Sequence, residues 1–181
     1  MPEDPRLQEL LQQITMSARN DPHDQLVRQV ARLRARDTCE YCLQQTIGQF
    51  QVDHIVPAAL WSGYVTAQLG GVAPLAGRRG PDHLDNFAWC CPFCNLGKRQ
   101  RVSHRLGSRL FRLFDPRLDR WTDHLAFTNN YLFIVGITPV GIATQFALGF
   151  NNGEIGGPLG TRHDSILDGR YPPAWLLRPD L

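Results

Sequence analysis

An α+β fold of short helices and small sheets is what this sequence predicts, and three observations carry that reading. Apolar residues recur at helical spacing near the start: Leu7, Leu10, Leu11 and Ile14, then Leu26, Val27, Val30 and Leu33. Later stretches, 49–55 and 131–148, alternate or run apolar between Gly, Pro and Asn, as strands do. Two Cys-x-x-Cys pairs, Cys39/Cys42 and Cys91/Cys94, flank the first strand-like stretch, and packing alone does not require that spacing. The length of 181 residues suffices to bury a core, and 43% hydrophobic against 20% charged residues excludes a disordered chain. A net charge of +2 is too small to announce a nucleic-acid partner by itself.

The elements follow in order. A first amphipathic helix spans about 5–17 and ends at Asn20-Asp21-Pro22. The second spans about 24–36 with Asp21 or Asp24 as its N-cap, and its Arg28, Arg32, Arg34 and Arg36 read as a solvated face. Past the first cysteine knuckle, Gln49 to Ile55 reads as one strand of a hairpin. Residues 58–84 form a long connection with Gly70-Gly71, Pro74, Gly77 and Pro81, the kind of loop that carries function. Asn86 to Trp89 reads as extended. A helix begins at Cys91-Pro92, because Pro suits a first turn, and continues past Lys98. Val102, Leu106, Leu110 and Leu113 extend helical spacing to about Phe114, where Asp115-Pro116 stops it. A β-hairpin then spans 131–148 around Thr138-Pro139-Val140-Gly141, with a Gly- and Pro-rich remainder and a short helix near 161–169.

No run of about 18 apolar residues occurs, so no membrane-spanning helix is expected. The opening Met1-Pro2-Glu3-Asp4-Pro5 lacks the basic-then-apolar pattern of a secretory signal, so the expected location is the cytoplasm, where thiols stay reduced. Five cysteines in that setting favour a metal over disulfides. Cys39, Cys42, Cys91 and Cys94 supply the four thiolates a structural Zn²⁺ takes, and Cys90 is left as core filler.

Asp53-His54-Ile55-Val56-Pro57 lies between the knuckles, Asp85-Asn86 precedes the second, and Asn95 and Lys98 follow Cys94. This set resembles the HNH endonucleases, a family with a ββα-metal core in which a two-stranded hairpin packs on a helix. A weaker similarity to stand-alone members extends through Leu113 to Arg117, Trp121 to His124 and Gly136 to Thr144. The resemblance implies a zinc-stapled core over 37–114, a helical arm over 1–36 packed on it and a hairpin extension over 115–181, all in one compact unit. It implies hydrolysis of DNA phosphodiesters. His54 is the general base, since a neutral imidazole suits that task near pH 7. Asp53 and Asn95 offer hard oxygens to a catalytic Mg²⁺ (or Mn²⁺), and Asn86 orients the base. Some relatives carry a further His at the position of Arg99, which cannot ligate a metal.

The charge distribution points the same way. Residues 98–120 hold eight basic side chains against two acidic ones. Lys98, Arg99, Arg101 and Arg105, with Arg78 and Arg79 in the long loop, are the expected contacts to a DNA backbone. His104 falls on the same basic segment, while His83 reads as a solvent-facing loop residue. The competing reading is a zinc-stapled nucleic-acid-binding module without activity. Neither monomeric nicking nor a homodimer is favoured by any segment.

Overall fold

The computed structural model describes residues 4–14, 20–45, 48–62, 78–153 and 156–177. It is an α+β arrangement of short helices and three two-stranded antiparallel sheets. Among the described residues no helix is long and apolar enough to cross a membrane.

Helix α1 (Pro5–Ile14) packs on α2 (Gln25–Arg34). Asp24 caps α2, its carboxylate accepting from the Leu26 and Val27 amides, and Arg36 and Asp37 beyond its end take left-handed conformations that turn the chain into the first cysteine knuckle. The apolar stripes of both helices close over Leu84 and Phe87, forming a small core. Arg34 is not part of a solvated face. It reaches across to the Leu84 and Phe87 carbonyls at 2.9 and 2.6 Å, and burial pushes its pKa down to about 10.

Strands β1 (Gln51–His54) and β2 (Phe87–Cys90) form the first sheet, with Asp53 opposite Ala88 and His54 opposite Phe87. Helix α3 (Pro92–Lys98) follows directly, with Cys91 as N-cap and Pro92 in the first turn. It ends at Lys98 rather than continuing, because Arg99 turns to φ 50°. Much of the long connection between β1 and β2, including Gly70-Gly71, Pro74 and Gly77, lies outside the described residues.

Two expected elements are replaced. The helix predicted over 102–114 is a hairpin of β3 (Ser103–Leu106) and β4 (Arg109–Arg112). The apolar spacing there satisfies both periods. Gly107, at φ 58°, settles the matter by supplying, with Ser108, a two-residue turn. The C-terminal hairpin is also different. Strand β6 (Phe133–Gly136) pairs with β5 (Leu125–Thr128), which follows the one-turn helix α4 (Trp121–His124). Residues predicted as its second strand form α5 (Pro139–Leu148), with Thr138 capping the Gly141 amide, Pro139 in the first turn and Gly149 left-handed at the end. Helices α6 (Pro158–Leu167) and α7 (Ala174–Leu177) complete the chain.

Helix α5 sits against α3, β3, β4 and β6, and one hydrophobic cluster runs from Ala31 to Phe150. Glycines make this packing possible. A Cβ on Gly141 would lie 1.8 Å from the His124 carbonyl oxygen, and one on Gly97 would lie 2.6 Å from that of Leu148. The main core therefore wraps the β1–β2–α3 unit from the C-terminal side, while α1 and α2 cover its other face.

Candidate functional site

The four cysteines come together. Cys39 and Cys42 lie on a tight knuckle in which the Cys39 amide donates to the Gln44 carbonyl and the Leu43 amide to that of Cys39, both at 2.8 Å. Cys91 and Cys94 stand at the start of α3, and all four thiol sulfurs lie within 4.8 Å of one another and are buried. The Cys42 and Cys91 sulfurs are 3.7 Å apart. A tetrahedral ion with metal–sulfur bonds of about 2.3 Å needs sulfur–sulfur edges of about 3.8 Å, so the cluster is placed to hold one metal ion.

Electrostatics prepare the cluster for that role. Burial opposes ionisation of Cys39, yet hydrogen bonds from the Cys42, Cys90, Cys91 and Cys94 thiols outweigh it and hold Cys39 well below its ordinary value. Burial pushes Cys94 well up, and donation to the Cys39 and Cys42 sulfurs does the same to Cys91. An entering cation would displace those protons. Cys90 is buried beside the cluster but stays outside it, donating to the Cys91 carbonyl.

At the end of β1, His54 is partly exposed. Its Nε2 lies 3.1 Å from an Asp82 carboxylate oxygen, and its ring stands edge-on to Phe87 at 5.0 Å. An ionised carboxylate only accepts, so the proton between the two sits on Nε2. Nothing in the spacing of the sequence singled out Asp82. It precedes Asn86 in a Pro-Asp-His turn that reads as an ordinary loop.

Asn86 is fully buried and uses its whole amide. Its Oδ1 accepts from the Val56 amide at 2.9 Å and from Arg78 at 2.8 Å, and its Nδ2 donates to the Val56 and Pro81 carbonyls at 2.9 and 2.8 Å. Its backbone carbonyl accepts from Ile55, the residue after His54. Asn86 thus pins both ends of the long connection next to the histidine.

The expected Mg²⁺ ligands are not assembled. Asp53 is buried, with its carboxylate 3.1 Å from the Lys98 ammonium and 3.0 Å from the Tyr41 hydroxyl. Burial raises its pKa, and Lys98 and Tyr41 only partly offset that. The Asn95 amide instead donates to the Gln51 side chain. The Asp53 side chain is engaged by Lys98 and Tyr41 and that of Asn95 by Gln51, so the two do not form an open oxygen site in this structure.

Two of the expected backbone contacts are likewise internal. Lys98 is buried, donating also to the His54 carbonyl at 2.7 Å. Arg78 is buried and pairs with Asp115 while it reaches Asn86, so it is no solvent arm. Arg79 stays exposed beside Asp85. Farther along, Arg112 clamps Asp119 with bonds of 2.5 and 2.7 Å, and Arg117 pairs with Glu40. Arg99, Arg101 and Arg105 remain at the surface, Arg105 and His104 now on a strand. His83 does not face solvent freely but accepts from the Asp85 amide as a cap.

No family model, no curated protein and no solved structure matches this chain.

Proposed function

We propose that this chain hydrolyses phosphodiester bonds in DNA as an endonuclease of the HNH type, with β1, β2 and α3 as a ββα-metal core and Zn²⁺ held by Cys39, Cys42, Cys91 and Cys94. The observation that carries the reading is the placement of His54. It stands at the end of the hairpin, half-open, with a carboxylate on the nitrogen that leaves the other one basic. General-base chemistry needs that tautomer.

In this reading His54 Nδ1 takes a proton from the attacking water. Asp82 holds Nε2–H and stabilises the imidazolium that forms. Asn86 and Lys98 fix the backbone at and just after the histidine, through Ile55 and Val56 and through the His54 carbonyl. Zinc binds the first knuckle to α3 and takes no part in the hydrolysis. Arg99, Arg101 and Arg105 supply phosphate contacts. The Asp53 and Asn95 side chains do not form an open oxygen site.

Nicking of supercoiled plasmid, with and without added Mg²⁺ or Mn²⁺, tests the proposal. Wild-type protein should convert plasmid to the nicked form, His54→Ala should abolish that, and Asp82→Asn should lower the rate by about 10²-fold or more, in line with general-base contributions. Equal nicking by His54→Ala would overturn the assignment, and no nicking under any condition would favour the inactive binding module.

A further inference from the structure

Helix α3 has a second flank, facing away from β1. There it meets the end of α5 across an open groove of about 380 Å³, lined by Phe93, Leu96, Arg99, Arg101, Phe146 and Asn152 among others. Leu96 and Phe146 are 67% and 62% exposed, unusual for large apolar side chains that face each other across a cleft. One face of the Phe146 ring is backed by His104, with ring centroids 6.3 Å apart and planes 17° from parallel. Arg99 and Arg101 each touch one carbonyl of the wall, Leu96 at 3.3 Å and Ala147 at 3.4 Å. Among the described residues neither meets a carboxylate, and no acidic residue lines the groove.

From this we infer that the groove seats an unpaired stretch of nucleic acid, with phosphates on Arg99 and Arg101 and one base stacked on Phe146. The inference rests on the reading of the chain as a nucleic-acid hydrolase and adds the kind of strand it selects. Lys98, Arg112 and Arg117 are committed to Asp53, Asp119 and Glu40 inside the fold, so the arginines of this flank are among those left to meet a polyanion. A base offers the flat face that fits an exposed ring beside guanidinium groups. A base inside a duplex keeps both faces covered, so a duplex uses the arginines and not the ring. Arg101, by donating to the Ala147 carbonyl, also offsets the negative end of α5 at the place a phosphate would approach.

Position ties the groove to the hydrolytic site. Lys98 holds the His54 carbonyl, and the next residue, Arg99, already lines the groove. The groove and the histidine thus adjoin the same end of α3. The substrates that fit are single strands, or duplexes with a frayed or bulged stretch beside the cut.

Fluorescence anisotropy on the full chain, without added divalent ion, tests this with a labelled twelve-nucleotide oligothymidylate, the same strand in a duplex, and polyglutamate as competitor. Wild type should bind the single strand more tightly than the duplex. Phe146→Ala should weaken single-strand binding about tenfold and leave the duplex unchanged, because one stacked base is lost. Arg99→Ala with Arg101→Ala should weaken both and reduce the single-strand salt slope by about 1.4, two phosphates at about 0.7 each. Circular dichroism checks that the variants fold, and the exposure of Phe146 makes its truncation harmless to the core. Unchanged single-strand affinity in Phe146→Ala, duplex binding as tight as single-strand binding, or displacement by polyglutamate at equal charge would each overturn the groove assignment. Plasmid nicking is scored separately. Nicking without the Phe146 effect removes the groove alone, and the Phe146 effect without nicking removes the hydrolase reading alone.

Discussion

Replacing Lys98 by Met is the sharpest probe of the interior, because it removes one charge from a buried pair and keeps the volume. Asp53 would then be a carboxylate with Tyr41 as its remaining neutral partner. Its folded-state pKa is already above the ordinary 3.8 because of burial, with Lys98 the chief opposing influence, so the substitution raises it further. A carboxyl that stays protonated in the fold costs the protein what it takes to protonate it in the unfolded chain. Breaking a buried pair by removing one partner costs about 3–5 kcal/mol. The sign follows from the raised pKa. Stability contributed by Asp53 is greatest below its unfolded value and falls as pH rises toward the folded value, over a longer range in the variant than in the wild type. The deficit of Lys98→Met should therefore shrink as pH falls from 7.5 toward 5.5. Urea unfolding of both proteins across that range measures it, and the difference cancels the pH dependence of the cysteine cluster. Asp53→Asn combined with Lys98→Met, a neutral pair, should show no such slope. A deficit that is flat with pH, or below about 1 kcal/mol at pH 7, would refute the buried-pair account.

Four other outcomes follow from the same geometry. Because the Cys91 and Cys94 thiols are raised and must lose their protons to a metal, zinc affinity measured by chelator competition should be clearly tighter at pH 8 than at pH 6. Cys39→Ser should lose the ion and lower the Tm, and zinc content unchanged by that substitution would count against the site. Gly141→Ala drives a methyl into the His124 carbonyl and should cost about 3 kcal/mol or more in urea unfolding. Asn86→Ala strands the Val56 amide and carbonyl, the Pro81 carbonyl and one Arg78 contact, and should cost about 3 kcal/mol or more in the same measurement.

What could be read from the sequence, and what could not, divides by the range of the interaction. Asp24 as a cap, the start of α3 at Cys91-Pro92 and the pairing of the two cysteine knuckles are short-range chemistry, and each was legible. The hairpin at 103–112 was hidden because Leu106 and Leu110 suit either period, although Gly107-Ser108 between two alternating runs was a usable turn signal. Helix α5 was mistaken for a strand through its β-branched and aromatic residues. Thr138-Pro139 before it and Gly149 after it, a cap at each end, were the stronger evidence. The internal ion pairs were beyond reach. Which of eight clustered basic side chains face solvent depends on carboxylates far away in sequence, such as Glu40 for Arg117 and Asp53 for Lys98. Asp82 escaped for the same reason, since its partner His54 lies across the long connection.

The basic cluster therefore has two populations, and they do different work. Lys98, Arg78, Arg112 and Arg117 are buried or half-buried and each meets a carboxylate, so their charges are balanced where they stand. They tie α3 to β1, Arg78 to Asp115, β4 to the turn that follows it, and that turn to the first cysteine knuckle. Two of them, Lys98 and Arg78, grip the backbone or the pinning amide beside His54. Arg99, Arg101 and Arg105 lie on the outside of the same segment and touch only carbonyls. A polyanion arriving at that flank meets cations without having to break a single internal pair. Under the proposed function, the histidine is held rigidly and a strand is met nearby by neighbouring residues of one short stretch. Substitutions in the inner set should be felt in stability, and those in the outer set in the salt dependence of binding.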